Sequence, residues 1–549
     1  MPMFYLKLWN GPLPSSSLDC ALKFFDSVRR PHYALFRTMD QIASKRHQIS
    51  TESTSVEEIV IGQVDNVSSP VHNWIYRSDA TSQSFIISMS PLRVIIVGGG
   101  PCGIVAAHAL YRAGIDFIIL ERRQDIFADT GASLVLTPQN LRVFGQLGIL
   151  DKLIDHGAPL LHLSQSFDPA RKSFKRTHAL SRIRDNHGSG LIIFHRAVML
   201  RALFDALPDE AKAQYFVNKR VTDIDISPSG TTAHCDDGSL YTGSLIIGAD
   251  GVHSRISTII RDLRLDLPQT AGGQDALDSA DHITSNAEDT FPATYKCLWG
   301  SFKRETDIGE SYEIQGHNRS AMYLTGKEKA WIFLYEKLPV TTAEKITYSP
   351  EDATAFAQSF SDWHVHEKLK IGDIINKPSF VSGMNNLREG VAAAETWSFA
   401  GRVALVGDAC HRFTPNAGLG LNAGIQDVVF LVNHLRVLSA QTRHGIFDDK
   451  LFLNTLERYQ EERREPVARD YAVASQSTRL QAWATWRDYL LARWFYSVEF
   501  VKNYLTDHGT ATSFKSGLVL DFIESDEVLH GKIPWDHPLV RGALPIKTS

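Results

Sequence analysis

Residues 92–121 read LRVIIVGGGPCGIVAAHALYRAGIDFIILE, and the fold is decided in this stretch. The run 92–97 is apolar and β-branched, as a strand buried within a parallel sheet requires. It leads into Gly98-Gly99-Gly100-Pro101-Cys102-Gly103, which fits the spacing G-x-G-x-x-G. In that spacing Gly98 makes the tight turn, Gly100 lets backbone approach a pyrophosphate, and Gly103 lets helix and strand pack closely. An alanine-rich helix over 104–113 follows, its free N–H groups and partial positive charge turned to the phosphates. Gly114 ends the helix, a second apolar strand spans 116–120, and Glu121 stands at its tip, where a carboxylate accepts both ribose hydroxyls of an adenosine. A lone glycine motif would say little. Strand, glycines, helix, strand and acid in this order specify a dinucleotide site in an α/β domain.

The whole chain of 549 residues has room for two or three domains. With 43% hydrophobic and 22% charged residues it has the composition of a globular protein. The net charge of −5 gives no electrostatic case for a nucleic-acid partner. Five cysteines lie far apart without a C-x-x-C pair, which fits reduced thiols and a cytoplasmic setting. No window holds about 18 uninterrupted apolar residues, which argues against a transmembrane span. Residues 1–90 show no helical or strand periodicity and read as a disordered arm or a gene-prediction artefact, with Met89 standing as an alternative start just before the first strand.

Beyond the opening unit, Arg122-Arg123 next to a ribose site would suit a 2′-phosphate and NADP, whereas Glu121 would repel one. The segment 131–142 reads as a strand or loop entering a helix capped near Thr137, with Pro138 at its first position. Residues 195–201 open another helix, with Val198, Leu200, Leu203 and Leu207 inward and Arg196 at its start, in reach of a cofactor. A strand at 244–247 runs into Gly248-Ala249-Asp250-Gly251-Val252-His253-Ser254-Arg255, bringing a second acid to the crevice at the strand ends. Residues 264–292 read as a long polar loop. Four alternating, aromatic-rich runs over 293–336 suggest an antiparallel sheet, and a helix is expected over roughly 350–370. The strand 402–406 returns to the parallel type and delivers GDACHRFTPNAGLGLNAGIQD at 407–427. Asp408 is a third acid at a strand tip, and the glycine-rich turn feeds a helix whose N-terminus aims at the crevice. From there the pattern is helical, and 489–504 concentrates Leu, Phe, Trp and Tyr, as a core or lid helix or a shallow membrane contact would.

Together GGGPCG with Glu121, GADGVHSR and GDACHRFTPNAGLGLNAGIQD resemble the class A flavoprotein hydroxylases, the p-hydroxybenzoate and phenol hydroxylase-like FAD monooxygenases, with the fungal secondary-metabolite type as the nearest subgroup. The resemblance spans roughly 92–435, with weaker support from YQEERREPV at 459–467. It implies an α/β fold with a Rossmann-like FAD-binding domain over 91–262 and 390–440. An inserted antiparallel substrate domain would occupy 263–389, and a helical region 441–549. It also implies that Gly98, Gly100 and Gly103 line the pyrophosphate and that Glu121 binds the adenosine ribose. Arg196 would contact the flavin chain, Asp250 would support both FAD and nicotinamide binding, and Asp408 would hold the ribityl or pyrophosphate part. Val135 would lie near the cofactor, and the turn with Gly418, Gly420, Leu421 and Asn422 would sit against the isoalloxazine. The turn 418–422 reads GLGLN where the meroterpenoid and indole-diterpene epoxidases have G-Q-G-G-N, so it is nearer the phenol hydroxylase-like form.

The expected reaction takes a hydride from NAD(P)H and one oxygen atom from O2 and oxidises a hydrophobic small molecule. Lys296, Tyr312 and Tyr323 are the polar groups of the aromatic sheet that would orient or deprotonate a phenol. Terpenoid epoxidation on the same fold, a flavin reductase or dehydrogenase without oxygen transfer, and an inactive flavin-binding interaction protein are the alternatives. Cys410-His411 has a metal pair's look, but no further Cys or His stands at ligand spacing, so no metal is expected.

Overall fold

In a computed structural model of the chain, the described residues are 92–129, 131–227, 230–265, 291–393, 396–442 and 449–539. The expected N-terminal arm, and nearly all of the expected loop at 264–292, lie outside them. Strand β1 (Arg93–Val97), helix α1 (Pro101–Ala113) and strand β2 (Asp116–Leu120) form the opening unit, with β1 and β2 parallel. Every residue of β1 after Arg93 is buried, as a strand with helices on both faces requires. Strand β3 (Ser133–Leu136) enters helix α2 (Pro138–Leu147) and pairs antiparallel with β4 (Ile192–His195), which leads straight into helix α3 (Arg196–Asp205). The inward face of α3 carries Met199, Leu200 and Leu203, whereas Val198, expected inward, is exposed. Strand β5 (Leu245–Gly248) joins β1 on the side away from β2 and runs through Asp250 into helix α4 (Arg255–Leu265).

The chain then builds β6 (Ala293–Lys303), β7 (Glu310–Gly316), β8 (Arg319–Thr325) and β9 (Lys329–Thr342), the four expected strands. Helix α5 (Pro350–Gln358) covers their far face, opened by a Ser349–Asp352 capping box. It is shorter than the expected 350–370. Ser359, Ser361 and Asp362 form a polar break, after which His364–His366 turns back to pair with Leu369–Lys370 so that Val365 is buried. Strand β10 (Val381–Arg388) flanks β6, and strand β11 (Val403–Leu405) returns to the parallel sheet beside β5. Helices α6 (Gly420–Thr442) and α7 (Asp449–Gln481) close the core behind that sheet.

Two sheets result. The mostly parallel one runs Ser398–Phe399, β11, β5, β1, β2, Tyr215–Phe216. The seven-stranded one runs β10, β6, β9, β8, β7, His162–Ser166, Lys175–Thr177, so the antiparallel layer also recruits two strands from the 91–262 stretch. His162–Ser166 pairs parallel with β7 and carries the sheet edge back toward the nucleotide-type domain. Among the described residues no helix is long and apolar enough to cross a membrane.

Candidate active site

A cleft of about 540 Å³ lies where the C-terminal ends of β1, β2, β5 and β11 meet one face of the antiparallel sheet. Gly98, Gly100, Glu121, Val135, Arg196, Asp250, Asp408, Gly418, Gly420 and Leu421 all line it. Gly103 and Asn422, the remaining residues read from the sequence as cofactor contacts, stand one layer behind.

The glycines answer to different constraints. Gly98 has φ +105°, and a Cβ there would press on the backbone of Ala249 and Asp250. Gly103 is glycine because a Cβ would collide with the Gly98 carbonyl oxygen, so it sets how closely α1 crosses the turn. A Cβ at Gly100 would meet no protein atom within 4 Å, so protein packing does not demand glycine there; the open space belongs to the cleft. Glu121 accepts hydrogen bonds from Gly99 N (2.8 Å) and Arg123 N (2.9 Å), tying the strand tip to the glycine turn. Tyr215 donates to the Gly99 carbonyl (3.0 Å) from the adjoining edge strand. The start of α1 has neither a side-chain cap nor an acid in its first turn, so its N–H groups remain available to an anion.

Asp250 has a structural task as well. Its carboxylate accepts from Ser254 Oγ (2.6 Å), Arg255 N (2.6 Å) and Ile256 N (3.2 Å), capping α4 at the wall of the cleft. Asp408 opens into the cleft but is recessed in the protein; burial pushes its carboxyl pKa up, opposed by His411 and Arg412. Arg196 lies beside Arg123 and Glu121, and burial lowers its pKa.

Asn422 works through its neighbours. Its Oδ1 accepts from Thr137 N (3.0 Å), Thr137 Oγ1 (2.8 Å) and Asn140 Nδ2 (2.8 Å), and its Nδ2 donates to the carbonyls of Val135 (2.8 Å) and Gly418 (2.7 Å). One buried amide thus locks the turn before α6 against the end of β3. Thr137 is the N-cap residue of α2, as expected, but its hydroxyl is committed to Asn422 rather than to its own helix.

The other end of the cleft is lined by Leu160, Leu163, Leu180, Leu191, Met322, Leu324 and Phe333, with Ser311 and Glu313 as the polar groups on the sheet. Glu313 Oε2 accepts from Gln165 Nε2 (2.7 Å), and its Oε1 has no hydrogen-bond partner among the described residues. Burial raises its pKa, with Gln165 and Lys502 acting in the opposite sense.

Lys296, Tyr312 and Tyr323, expected as substrate-orienting groups, are not at the cleft. Side chains alternate across a strand, so Ser311 and Glu313 face the cleft while Tyr312 points the other way. Tyr312 and Tyr323 are packed with Phe360 and Ile332 in the core beneath α5. Lys296 pairs with Glu336 (2.8 Å) on that far side and lies 4.7 Å from the centre of the Phe356 ring. Glu313 is not evident from the sequence alone: the alternation along 310–316 is visible there, but which face meets the cleft is not.

Behind Asp408, Cys410, His411 and Asp427 bring potential metal-ligand atoms within 4.8 Å of one another. They are already engaged. Asp427 takes His411 Nε2 (2.6 Å) and Arg463 Nε (2.9 Å), and also accepts from Gly407 N (3.1 Å), all buried. Cys410 Sγ is 3.5 Å from the carbonyls of Leu405 and Gly407. This network holds the turn that presents Asp408.

The chain matches the FAD-binding domain family over residues 91–274 and 347–472. It is 30% identical over 444 residues to the FAD-dependent monooxygenase esdpE of Penicillium shearii, covering 79% of this chain and 86% of that one. It is 32% identical over 401 residues to the FAD-dependent monooxygenase spyC of Aspergillus fumigatus, covering 71% and 80%. The chain is an FAD-dependent monooxygenase of this family. The monooxygenase shares its fold with a variant of Klebsiella pneumoniae HpxO solved with FAD (TM-score 0.58, 20% identity, 77% of this chain and 99% of that one). A salicylate hydroxylase solved with its substrate is similar as well (TM-score 0.55, 17% identity, 78% and 98%). The residues of the monooxygenase cleft fit FAD in kind: open space at Gly100, an uncapped α1, a strand-tip acid at Glu121 and an arginine at 196. The first turn of α6 likewise carries no acid.

Proposed function

We propose that this monooxygenase uses NAD(P)H as reductant and places one atom of O2 on a hydrophobic, hydroxyl-bearing small molecule of the phenol or polyketide kind met in secondary metabolism. The observation that carries this is the two-ended cleft: glycines, Glu121 and Arg196 at one end, and at the other an apolar chamber whose sheet face offers Ser311 and Glu313. Bound FAD supplies the redox and oxygen-activating chemistry. The protein's own residues then have separate duties. Glu121 accepts the adenosine ribose hydroxyls, while Gly98, Gly100 and the start of α1 receive the pyrophosphate. Arg196 and Asp408 would hold the chain between pyrophosphate and ring, and Val135 with the 418–421 turn would receive the ring. The N-terminus of α6 favours negative charge at that turn. The leucines, Met322 and Phe333 keep water out of the chamber. Glu313 Oε1 accepts the substrate's hydroxyl and, when ionised, takes up its proton.

The direct test incubates purified, FAD-loaded protein with NADPH, labelled O2 and a panel of phenolic and polyketide acceptors. Substrate-stimulated NADPH oxidation with one labelled oxygen in the product is expected. NADPH oxidation that labels none of these acceptors would overturn the phenolic or polyketide substrate class.

A further inference from the structure

Nine of the large apolar side chains exposed among the described residues fall within the twenty positions 486–505. Trp486, Trp494 and Phe500 are each about two-thirds exposed, at 69%, 67% and 65%, and Tyr504 is 56% exposed. A monomeric surface rarely leaves so much aromatic area uncovered in one place. The segment is no loose flap. Its underside is fastened to the edge of the antiparallel sheet: Lys175 Nζ donates to the Ser497 carbonyl (2.8 Å), Glu499 accepts from His178 N (3.1 Å), and Lys502 bonds Gln165. Ala492 and Thr506 are buried beneath it. The aromatic side chains are therefore held outward by a fixed platform, and the cost of ordering them is met before any partner arrives.

Charge says what the platform meets. Residues 486–505 together with the adjoining segment 167–178 carry seven Lys and Arg against three Asp and Glu, a local excess of four positive charges on a chain whose net charge is −5. Arg171, Lys172, Lys175 and Arg176 are all exposed. A second copy of the same face would bring like charge against like. Trp, Tyr and Phe rimmed by Arg and Lys instead match the headgroup boundary of a bilayer. The helical pieces Trp486–Leu490, Leu491–Phe495 and Glu499–Leu505 are far too short to span one.

We infer that the 486–505 face docks on the surface of a lipid bilayer bearing anionic headgroups, seating its aromatic side chains at the headgroup boundary with the 171–176 cations alongside. This inference does not depend on the reaction proposed above.

The test uses the full-length, FAD-loaded chain with sedimenting vesicles of phosphatidylcholine, alone or with about 30 mol% phosphatidylserine. The protein should sediment with the phosphatidylserine vesicles and leave them as salt is raised. The Trp494→Ser/Phe500→Ser double variant should bind at least about tenfold more weakly while keeping its flavin absorbance. Should that variant fold poorly, Arg171→Glu/Lys172→Glu removes charge at exposed positions and should weaken binding by about tenfold on its own. Failure to sediment with either vesicle, or equal binding by these variants, would overturn the inference. So would a concentration-dependent dimer in sedimentation velocity that the aromatic double variant abolishes, which would assign the face to a second copy.

Discussion

A carboxylate at position 313 meets an apolar chamber with one oxygen held by Gln165 and the other without a hydrogen-bond partner among the described residues. Because burial raises its pKa, the ionised form that accepts a proton is gained only above the ordinary glutamate value of about 4.3. The rate at low substrate should therefore climb as pH rises through that elevated pKa. Replacing Glu313 by Gln should lower kcat on a phenolic acceptor by roughly a hundredfold and flatten the climb. Lys296→Met and Tyr323→Phe, on the opposite face of the sheet, should leave kcat within about twofold. Steady-state pH profiles of the three variants check this, and a Glu313→Gln enzyme with an unchanged profile would remove the residue from the chemistry. Asp408 makes a second test at this scale. Asp408→Ala should purify folded by circular dichroism but colourless, and a fully yellow variant would displace that acid from the flavin.

Helix α6 draws its importance from what its first two turns hold. Asn422 satisfies three donors from 137–140 and two carbonyls at once, so Asn422→Ala strands several buried polar groups and should cost about 2–3 kcal/mol, with retained flavin falling in parallel. Denaturant unfolding and the flavin-to-protein absorbance ratio read both effects. One turn further, burial would raise the Asp427 carboxyl, but His411 and Arg463 outweigh it and hold its pKa below the usual aspartate range. A carboxylate with a depressed folded pKa contributes stability above its unfolded pKa of about 3.9 and loses it as pH falls through the folded value. Thermal melts should show this contribution intact at neutral pH and disappearing in strong acid. Arg463→Met, which leaves Asp427 buried without that partner, should destabilise by about 3–5 kcal/mol at neutral pH; a melting temperature that does not move would discount the network.

Across the whole molecule, the C-terminal stretch returns to brace the nucleotide-type domain. Arg142 on α2 is fully buried, pairs with Glu527 at 2.8 Å, donates to the His537 carbonyl (2.5 Å) and lies over Trp535. Gln146 reaches the Leu520 carbonyl (2.7 Å), and Gln426 on α6 accepts from Leu518 N (2.6 Å). The contacts made by α2 reach more than 370 positions along the chain, so the last turns complete a core that begins near residue 92. Glu527→Ala leaves a buried guanidinium short of its carboxylate and should cost about 3 kcal/mol, measurable by urea unfolding. No change there would mean that the tail merely rests on the domain.

The nucleotide end was legible in the sequence because local rules govern it. A buried parallel strand, a turn needing glycine and a helix N-terminus each impose residue types at fixed short spacing, and Gly98, Gly103 and Glu121 stand where those rules put them. The four strands of 293–336 were legible for the same reason: period-two alternation is local. What the alternation could not say is which face meets the cleft, because a sheet buried on both sides reads alike from either. That choice depends on how the sheet docks against β3, β4 and the turn before α6, segments distant in sequence. It turned Tyr312 and Tyr323 into core and put Glu313 at the chamber. The roles of Asn422 and Arg142 were hidden likewise, since their partners lie about 285 and 385 residues away. Local geometry wrote the dinucleotide unit into the chain, and only long-range packing decided what surrounds the substrate.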